Sequence, residues 1–382
     1  MQDFMFSIPQ NIIFGKGSSK KIPSLLEKTV DGKVLIISER GNEKAGNVKR
    51  ITDILSESGI AYEVFLDVEP NPSIETVSAA TVKYRDSHAR GIIALGGGSP
   101  MDVAKAVGVL AAYGGEITRY EGANLVPGHI VPIIAIPTTA GSGSEVTAFS
   151  VITDKSRNYK LTVFSYELIP QYALLEPEFI KSLPESVAAS TGIDALVHAI
   201  EAYLSKAATA FTDAMAEKAM ELIGRNIRPF VADRKNEEAA GSMLLASTLA
   251  GIAFAWARLG NVHAMAHPVG GYFDVAHGVA NAILLPVVLE YNAVADNGRY
   301  EKIYSLIKAG NEKAGEFAPH ILVDEIRKLI KDLGIPEKLS SVGVSGDKIP
   351  AMAADAMKSG NITFNPRKSS LEDIEMLYRK AL

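Results

Sequence analysis

Short apolar runs alternate with helix-like segments through the first half of the chain. The runs predict buried strands at residues 33–38, 62–66, 91–95 and 131–136. Apolar positions three or four residues apart predict helices between these runs, at residues 43–58, 73–88 and 100–112. Continuous apolar strands separated by helices are typical of a parallel sheet covered on both faces, so we expect an α/β domain.

A shorter β-rich stretch follows, with strands expected at residues 149–153, 160–164 and 172–176. From Pro184 onward, almost every segment has a helical period of apolar residues and many alanines. The helices predicted there are residues 184–204, 211–223, 236–255, 278–290, 299–309, 319–333 and 369–381. This change places a domain boundary near Leu183, between an α/β domain of residues 1–183 and an all-helical domain of residues 184–382.

Composition limits the class of protein and its partners. At 382 residues and 47% apolar, the chain can bury more than one core. The net charge of -5 offers no basic surface for nucleic acid or an anionic membrane. Cysteine is absent, which excludes disulfides, thiolate metal sites and a cysteine nucleophile, and fits a cytosolic protein. The N-terminus has no signal-peptide pattern and no apolar run approaches membrane-spanning length, so we expect a cytoplasmic protein.

Four of the seven histidines lie with an aspartate in a pattern that favours a divalent metal. Asp194 and His198 are four residues apart, as are His263 and His267, and His277 follows. Residues four apart share a helix face, so each pair can direct two ligands at one point. A lone histidine is usually a core or cap residue, but two such pairs favour a site. Three imidazoles and a carboxylate suit Fe(II) or Zn(II) better than Mg(II) or Ca(II).

Five candidates for four coordination positions leave one residue idle or catalytic. His267 precedes Pro268, which disfavours helical geometry at the residue before it. We therefore expect His267 to lie off the ligand face.

The predicted strand at 91–95 runs into three glycines, residues 96–98, followed by Ser99 and Pro100. Ser99 suits an N-cap and Pro100 the first helical position, and the free N–H groups of a helix N-terminus attract phosphate. A pyrophosphate is the expected ligand, with Asp102 as a capping residue. The alternative is an ordinary capped turn between a strand and a helix.

Two further features favour a dinucleotide. Glu39 ends the strand at 33–38, where an acid can accept hydrogen bonds from a ribose and favour NAD over NADP. A loop rich in hydroxyls and glycines, residues 137–145, ends the strand at 131–136. Ligands of open α/β sheets bind at the carboxyl ends of the strands, so both loops are expected to face one crevice. The alternatives are a solvated loop charge for Glu39 and a surface turn for the loop.

In this order, these motifs resemble the iron-containing (group III) alcohol dehydrogenase family over essentially the whole chain. The matching stretches are EPNP at 69–72, GGGSPMDVAK, YEG at 120–122, PTTAGSGSE, TGIDALVHAIEAY, LGNVHAMAHPVGG, HGVANAILLP and NPR at 365–367. The resemblance implies an N-terminal Rossmann-like dinucleotide-binding α/β domain and an all-α C-terminal domain, an architecture like that of dehydroquinate synthase. It also implies an NAD(P)-dependent enzyme, one metal ion and a homodimer.

The resemblance assigns roles to individual residues. The metal ligands would be Asp194, His198, His263 and His277, with His267 near the nicotinamide as a candidate catalytic proton relay. The pyrophosphate would be held by Gly97, Gly98, Ser99 and Asp102, and the second cofactor loop would use Thr138, Thr139, Ser142 and Thr147. Lys160 would contact the ribose, and Glu39 stands where NAD-preferring members carry Asp. NAD(H) and Fe(II), ahead of Zn(II), are therefore the expected cofactors.

Four residues are candidates for the substrate pocket. Phe149 and Val151 are expected near the nicotinamide, and Phe254 and Arg258 precede His263. An arginine fork binds carboxylate or sulfonate, so we hypothesise a short alcohol or aldehyde with an anionic tail, such as a sulfo- or carboxy-aldehyde. Alternatively, Arg258 pairs with an acid at a domain or subunit contact.

The expected activity is NAD(H)-dependent interconversion of a short-chain primary alcohol and its aldehyde, because a metal can act as a Lewis acid on the substrate oxygen. One alternative keeps the fold and changes the chemistry to that of glycerol dehydrogenase or dehydroquinate synthase. Another is a metal or nucleotide sensor without turnover. NADH consumption with simple aldehydes separates these possibilities.

Overall fold

The computed structural model describes residues 11–157, 159–308 and 316–382. The chain divides into two compact units. Of the described residues, one unit contains those from Asn11 to Thr139 together with Gly143–Ser182, and the other contains Ala140–Ser142 and Leu183–Leu382.

A six-stranded parallel sheet forms the centre of the first unit. Its strands are β1 (Asn11–Phe14), β2 (Val34–Ile37), β3 (Tyr62–Phe65), β4 (Gly91–Gly96), β6 (Ile133–Pro137) and β9 (Tyr172–Leu175). They lie in the order β1-β9-β6-β4-β2-β3, and every pair is parallel. All side chains of β2 and β4 are buried, which explains their uninterrupted apolar sequences.

Helices cover this sheet on both sides, as the alternation of elements predicts. They are α1 (Ile22–Thr29), α2 (Arg40–Lys44), α3 (Asn47–Glu57), α4 (Ile74–Asp86) and α5 (Gly98–Tyr113). Two apolar cores result, one containing residues of α4 and α5 and the other residues of α1 and α3. The predicted parallel α/β fold is confirmed.

A small second sheet belongs to the same unit. It consists of β5 (Gly122–Ala123), β7 (Phe149–Asp154) and β8 (Tyr159–Phe164), with β7 and β8 antiparallel. The strand predicted at 172–176 does not join this group. As β9, it lies between β1 and β6 in the main sheet, because its pairing partners are distant in sequence.

The second unit is helical throughout its described residues. Its helices are α6 (Glu185–Leu204), α7 (Ala210–Ala232), α8 (Glu237–Ala257), α9 (Asn261–Phe273), α10 (His277–Asn292), α11 (Arg299–Ile307), α12 (Pro319–Asp332), α13 (Ile349–Ala356) and α14 (Leu371–Ala381). The predicted all-helical second half is confirmed. Residue 309, at the end of one predicted helix, lies outside the described residues.

Several elements differ from the sequence prediction. Strands β1 and β5 and helices α1, α9 and α13 were not among the predicted elements. Helix α7 continues beyond residue 223 to Ala232. Its later turns bury Ile227, Phe230 and Val231, so packing extends the helix past the predicted end.

Two helices correct the prediction that no apolar run approaches membrane-spanning length. Glu237–Ala257 and His277–Ala295 are long and apolar enough to cross a membrane by length and composition alone. In each, 72% of the apolar window is buried inside the fold. Core helices of folded domains have this character, so length and composition are weak evidence for a membrane span.

Candidate functional site

Three helices of the second unit bring potential metal ligands together. Asp194 lies within α6, His263 in the first turn of α9, and His277 is the first residue of α10. One ligand atom from each residue lies within 4.8 Å of the other two. Asp194 and His263 are buried, whereas the His277 side chain is 34% exposed, so the cluster is reachable from one side.

His198, one turn after Asp194, lies beside this group but is not among the three mutually close ligand atoms. Its ring stacks on the His263 ring at 4.6 Å and on the Phe254 ring at 4.4 Å between centroids. Its Nδ1 lies 3.2 Å from the Gly141 carbonyl oxygen. When Nδ1 donates to that carbonyl, Nε2 keeps its lone pair for a metal.

Two residues not predicted from sequence hold the cluster in place. Glu201 Oε2 lies 2.6 Å from His263 Nδ1, so the His263 lone pair remains on Nε2. Asn281 Nδ2 lies 2.6 Å from Asp194 Oδ1 and 3.1 Å from His277 Nε2. Spacing offered a signal for both: Glu201 is three residues after His198, and Asn281 four after His277.

The donor set fits a divalent cation. Asn281 Nδ2 has only two hydrogens but faces three acceptors, since His263 Nε2 is also 3.2 Å away. Asn281 Oδ1 is buried without a hydrogen-bond partner. One carboxylate oxygen and two imidazole nitrogens thus converge, and the two hydrogens of this amide cannot satisfy all three acceptors. Such a mixed nitrogen and oxygen set suits Fe(II) or Zn(II).

Burial also keeps the histidines in their ligand form. Removal from water lowers the pKa of His198 and lowers the pKa of His263 well below its usual value, and neighbouring imidazoles lower the latter further. Burial raises the pKa of Asp194. Neutral imidazoles are the form that binds a metal, and a cation would favour the charged carboxylate.

His267 keeps helical geometry although Pro268 follows it, and it is not among the three residues whose ligand atoms converge. Helix α9 runs through Pro268 without interruption, so the expectation that His267 leaves helical geometry is wrong. Pro268 is buried, and α9 packs against α10 and α13, which compensates for the lost backbone hydrogen bond. The His267 ring stacks on the His277 ring at 5.4 Å. His267 therefore lies beside the ligand cluster, and its catalytic role stays a prediction.

The glycine-rich loop of the first unit leads into α5 with a different N-cap from the one predicted from the sequence. Helix α5 begins at Gly98 with Gly97 as N-cap, so the predicted cap at Ser99 and the predicted first helical position of Pro100 are wrong, and Pro100 is the third residue of the helix. A Cβ at Gly96 would lie 2.4 Å from Pro100 Cγ, and one at Gly97 would lie 3.2 Å from Thr139 Cγ2. The contact at Gly96 requires glycine, whereas the one at Gly97 leaves only little room for a side chain. The free N–H groups at the start of α5 can attract an anion, and phosphate binding there stays a prediction.

Asp102 does not cap this helix as predicted. It accepts hydrogen bonds from Ser144 Oγ at 3.0 Å and from the Val151 backbone N–H at 3.1 Å. Burial raises its pKa to about 6. Asp102 therefore ties α5 to β7 and to the second loop.

Lys105, which the sequence reasoning missed, completes this connection. It is fully buried and donates to Ser144 Oγ at 3.0 Å, Thr147 Oγ1 at 3.1 Å and the Phe149 carbonyl at 2.8 Å. Burial lowers its pKa to about 8. A lysine three residues after Asp102 within an apolar helix was the available signal.

The other predicted cofactor residues have varied surroundings. Thr138 is buried, and Ser142 belongs to the short segment grouped with the helical unit. Lys160 Nζ donates to Asn71 Oδ1 at 2.8 Å. Glu39 is half-buried and accepts from Asn42 Nδ2 at 2.8 Å, and burial raises the pKa of Glu39. Their contacts with a dinucleotide stay predictions.

The predicted pocket residues divide between the units. The Phe149 ring lies 4.9 Å from the Phe164 ring in the small sheet, and Val151 is half-buried there. Phe254 contacts His198, as described above. Arg258 ends α8 one turn after Phe254, with a positive φ of 67° and Nη1 3.4 Å from the Ala255 carbonyl.

Comparison with known proteins shows the family of this chain. Residues 9–177 match the family described as iron-containing alcohol dehydrogenase, and residues 188–382 match the C-terminal domain of the Fe-containing alcohol dehydrogenase family. Lactaldehyde reductase of Escherichia coli strain K12 is 38% identical over 371 residues, covering 96% of this chain and 97% of the relative.

Two solved structures share the whole fold. A crystal structure of 1,3-propanediol oxidoreductase superimposes with a TM-score of 0.96 at 36% identity, covering 100% of both chains. Sulfoacetaldehyde reductase from Bifidobacterium kashiwanohense, in complex with NAD+, has a TM-score of 0.89 at 29% identity, covering 100% of this chain and 99% of that one. This protein is therefore an oxidoreductase that belongs to the iron-containing alcohol dehydrogenase family.

Proposed function

We propose that this protein uses NAD(H) and one divalent metal ion to interconvert a short-chain primary alcohol and its aldehyde by hydride transfer. The main observation that supports this proposal is the convergence of ligand atoms from Asp194, His263 and His277. Around them, hydrogen bonds to Glu201 and Asn281 hold these side chains in place. Membership of the family favours this chemistry over a dehydroquinate synthase reaction.

Four side chains would hold the metal: Asp194, His198, His263 and His277. Fe(II) is proposed ahead of Zn(II), because the donor set accepts both and the family is described as iron-containing. When bound, the metal supplies a Lewis acid for the substrate oxygen. The protein contributes fixed imidazole orientations through Gly141 and Glu201.

The cofactor would bind at the loops of the first unit. The backbone of Gly97 and Gly98 and the start of α5, with Ser99 and Asp102, would hold the pyrophosphate. The second loop would contribute Thr138, Thr139, Ser142 and Thr147, with Lys160 toward the ribose. Glu39 would favour NAD over NADP. The related sulfoacetaldehyde reductase in complex with NAD+ supports this choice.

His267 would transfer a proton between the substrate and solvent. It is half-buried and stacked on His277, so it reaches both the ligand cluster and the outside of the fold. Imidazole exchanges protons near neutral pH, which suits it to this role.

A substrate with an anionic tail is the narrower proposal. Arg258 lies one helical turn after Phe254, whose ring stacks on His198. A guanidinium forms paired hydrogen bonds with a sulfonate or carboxylate, so Arg258 is the proposed partner of the anionic tail. Phe149, Val151 and Phe254 would form the apolar part of the pocket, and the sulfoacetaldehyde reductase relative supports such a substrate class.

We further propose a cytoplasmic homodimer with a small-molecule substrate and no nucleic-acid or membrane partner. The net charge of -5 supports the absence of a basic binding surface. Strand β1 pairs only with β9 among the described residues and exposes Ile12 and Phe14, which supports contact with a second subunit.

Metal analysis of anaerobically purified protein, followed by an aldehyde panel with NADH and NADPH, tests the proposed function. We expect about one iron per chain and faster reduction with NADH. His263→Ala should lose both metal and activity. His129→Ala is the matched control, because His129 is 98% exposed and pairs with Glu167.

Two results would contradict the proposal. Full metal content and full reductase rates after alanine replacement of His198, His263 and His277 would contradict the proposed metal site. Bound metal and dinucleotide without turnover of any aldehyde would instead indicate a sensor.

A further inference from the structure

We propose that Glu201, assisted by Asn365, is a positioning residue that sets His263 for metal binding by capping helix α9. This inference deepens the proposed function, because it rests on the proposed metal site. Glu201 was not among the residues predicted from sequence, and the stretch at 365–367 had no assigned role.

The start of α9 shows why a cap from elsewhere is needed. Its N-cap residue is Gly260, which has no side chain to accept the free N–H groups of the first turn. The Asn261 N–H donates to Asn365 Oδ1 at 3.2 Å. The Val262 N–H donates to Glu201 Oε1 at 2.7 Å, and the His263 N–H to Oε2 at 3.4 Å. All three N–H groups are therefore satisfied by side chains distant in sequence.

The same carboxylate also binds the candidate ligand itself. Glu201 Oε2 lies 2.6 Å from His263 Nδ1, so a single carboxylate fixes both the backbone and the ring of His263. Glu201 follows Asp194 and His198 on α6 at seven and three residues, along one face of the helix. Helix α6 therefore presents two candidate ligands and the support for a third.

Asn365 holds this arrangement from the opposite side. Its Oδ1 also accepts from Asn292 Nδ2 at 3.1 Å, while its Nδ2 donates to Asn292 Oδ1 at 2.8 Å and to the Arg367 carbonyl at 2.6 Å. Asn292 is the last residue of α10, the helix that begins with His277. The cap thus connects the three helices that carry the cluster.

The space around the cap is closed. A Cβ on Gly260 would lie 2.9 Å from Asn365 Oδ1 and 3.0 Å from Glu201 Oε1. A buried carboxylate is costly unless its oxygens are fully hydrogen-bonded, as they are here. Glycine at this position allows both acceptors to reach the helix end.

Replacement of the carboxylate by its amide tests the inference. In Glu201→Gln, one half of the side chain becomes a donor and opposes either the backbone N–H groups or His263 Nδ1. We expect the folded apoprotein to bind Zn²⁺ or Co²⁺ about 10–100-fold more weakly, measured by competition with a chromogenic chelator. Absorption of bound Co²⁺ in the visible range should also change, since it reports ligand geometry.

Glu176→Gln is the matched control. Glu176 is also buried and also accepts two backbone N–H groups, from Gly17 at 3.0 Å and Ser19 at 2.8 Å, at the start of a short 3-10 helix, Ser18–Lys21. It also pairs with Arg50 and belongs to the first unit. We expect lower thermal stability of this variant with metal affinity close to that of wild type.

A lower melting temperature of apo Glu201→Gln with wild-type metal affinity would overturn the inference, because a merely structural cap behaves in that way. If this variant does not fold, Gly260→Ala decides, since its methyl group would crowd both Asn365 Oδ1 and the Glu201 carboxylate and should shift them. Wild-type metal affinity in folded Gly260→Ala would also overturn it. If the wild-type protein binds metal but reduces no aldehyde, only the proposed function is contradicted. If the wild-type protein is active and Glu201→Gln binds metal as tightly as wild type, only this inference is contradicted.

Discussion

At the scale of single residues, chemically similar side chains have different roles because their surroundings differ. Lys105 is fully buried with three oxygen acceptors, whereas Lys49 forms an exposed pair with Asp53. Buried charges must be paired and hydrogen-bonded, while exposed pairs contribute little. Arg258 is partly buried and follows Phe254 by one helical turn. Because it is the proposed partner of an anionic substrate, its replacement tests the substrate preference.

Arg258→Ala should change substrate preference. If the guanidinium binds an anionic tail, alanine removes a charged hydrogen bond that contributes about 1.5–3 kcal/mol. We then expect kcat/KM for sulfoacetaldehyde to fall roughly 10–100-fold. The value for acetaldehyde should change little. Steady-state kinetics with both aldehydes measures the ratio.

The backbone does not confound this comparison, because alanine and arginine meet similar strain at the positive φ of 67°. Arg327→Ala is the control, since Arg327 forms an exposed pair with Glu290. An unchanged ratio of the two kcat/KM values in Arg258→Ala would remove the anionic-tail proposal.

At the scale of elements, the ligand cluster depends on how closely the helices cross. Gly278, directly after His277, packs against the backbone of α6 at Ser190. A Cβ there would lie 2.3 Å from the Ser190 carbonyl oxygen and 2.8 Å from its carbon. Backbone atoms cannot move aside as a flexible side chain can, so this contact sets the distance between α6 and α10.

Gly278→Ala should therefore destabilise the helical unit. Overpacking a close contact costs about 1–3 kcal/mol. The displaced backbone adjoins His277, so the position of this candidate ligand should change as well. Thermal unfolding should show a lower melting temperature, together with weaker metal binding.

Gly271→Ala in α9 provides the matched comparison. Gly271 is an exposed helical glycine, and a Cβ there meets nothing within 4 Å. Alanine should stabilise the helix by about 0.5–1 kcal/mol through its higher helix propensity. Equal melting temperatures for Gly278→Ala and wild type would contradict the close crossing of α6 and α10.

At the scale of the whole molecule, charge and apolar exposure bear on partners. The net charge of -5 disfavours polyanions, and the two long apolar helices are mostly buried within the fold. Edge strand β1 instead exposes Ile12 at 38% and Phe14 at 48%. Exposed apolar residues on a sheet edge favour association with another subunit.

We expect sedimentation equilibrium at micromolar concentration to give twice the chain mass of 40.8 kDa. Phe14→Lys should weaken the dimer, because a charge on the exposed edge strand opposes its burial. Phe211→Lys serves as the control, since Phe211 is 52% exposed but lies on α7. A monomeric wild type would contradict the dimer, and an unaffected Phe14→Lys would exclude this edge from the interface.

Much of the fold could be predicted from local pattern. Strands β2 and β4 are buried on both faces, and α6 is rich in alanine and other helix-forming apolar residues, so their own sequences indicate them. Strand β1 has only four residues and pairs with β9, which lies about 160 residues later. Such pairing depends on the partner, so neither the strand nor its neighbour could be assigned from local sequence.

The candidate site shows the same division. Residue type and spacing predicted five candidates, Asp194, His198, His263, His267 and His277, because pairs four residues apart share a helix face. The resemblance to a known family then assigned four of them as metal ligands. The partners Glu201, Asn281 and Lys105 were missed, since buried polar residues are recognised only by what they touch.

The sequence by itself determined the alternation of strands and helices, the helical second half and the kinds of ligand available, because apolar periodicity and side-chain chemistry are local properties. Only the tertiary structure decided that β9 joins the main sheet, that α9 continues through Pro268 and that Glu201 caps α9 beside His263. These outcomes depend on packing and hydrogen bonds between segments distant in the chain, whose free energies exceed local propensity.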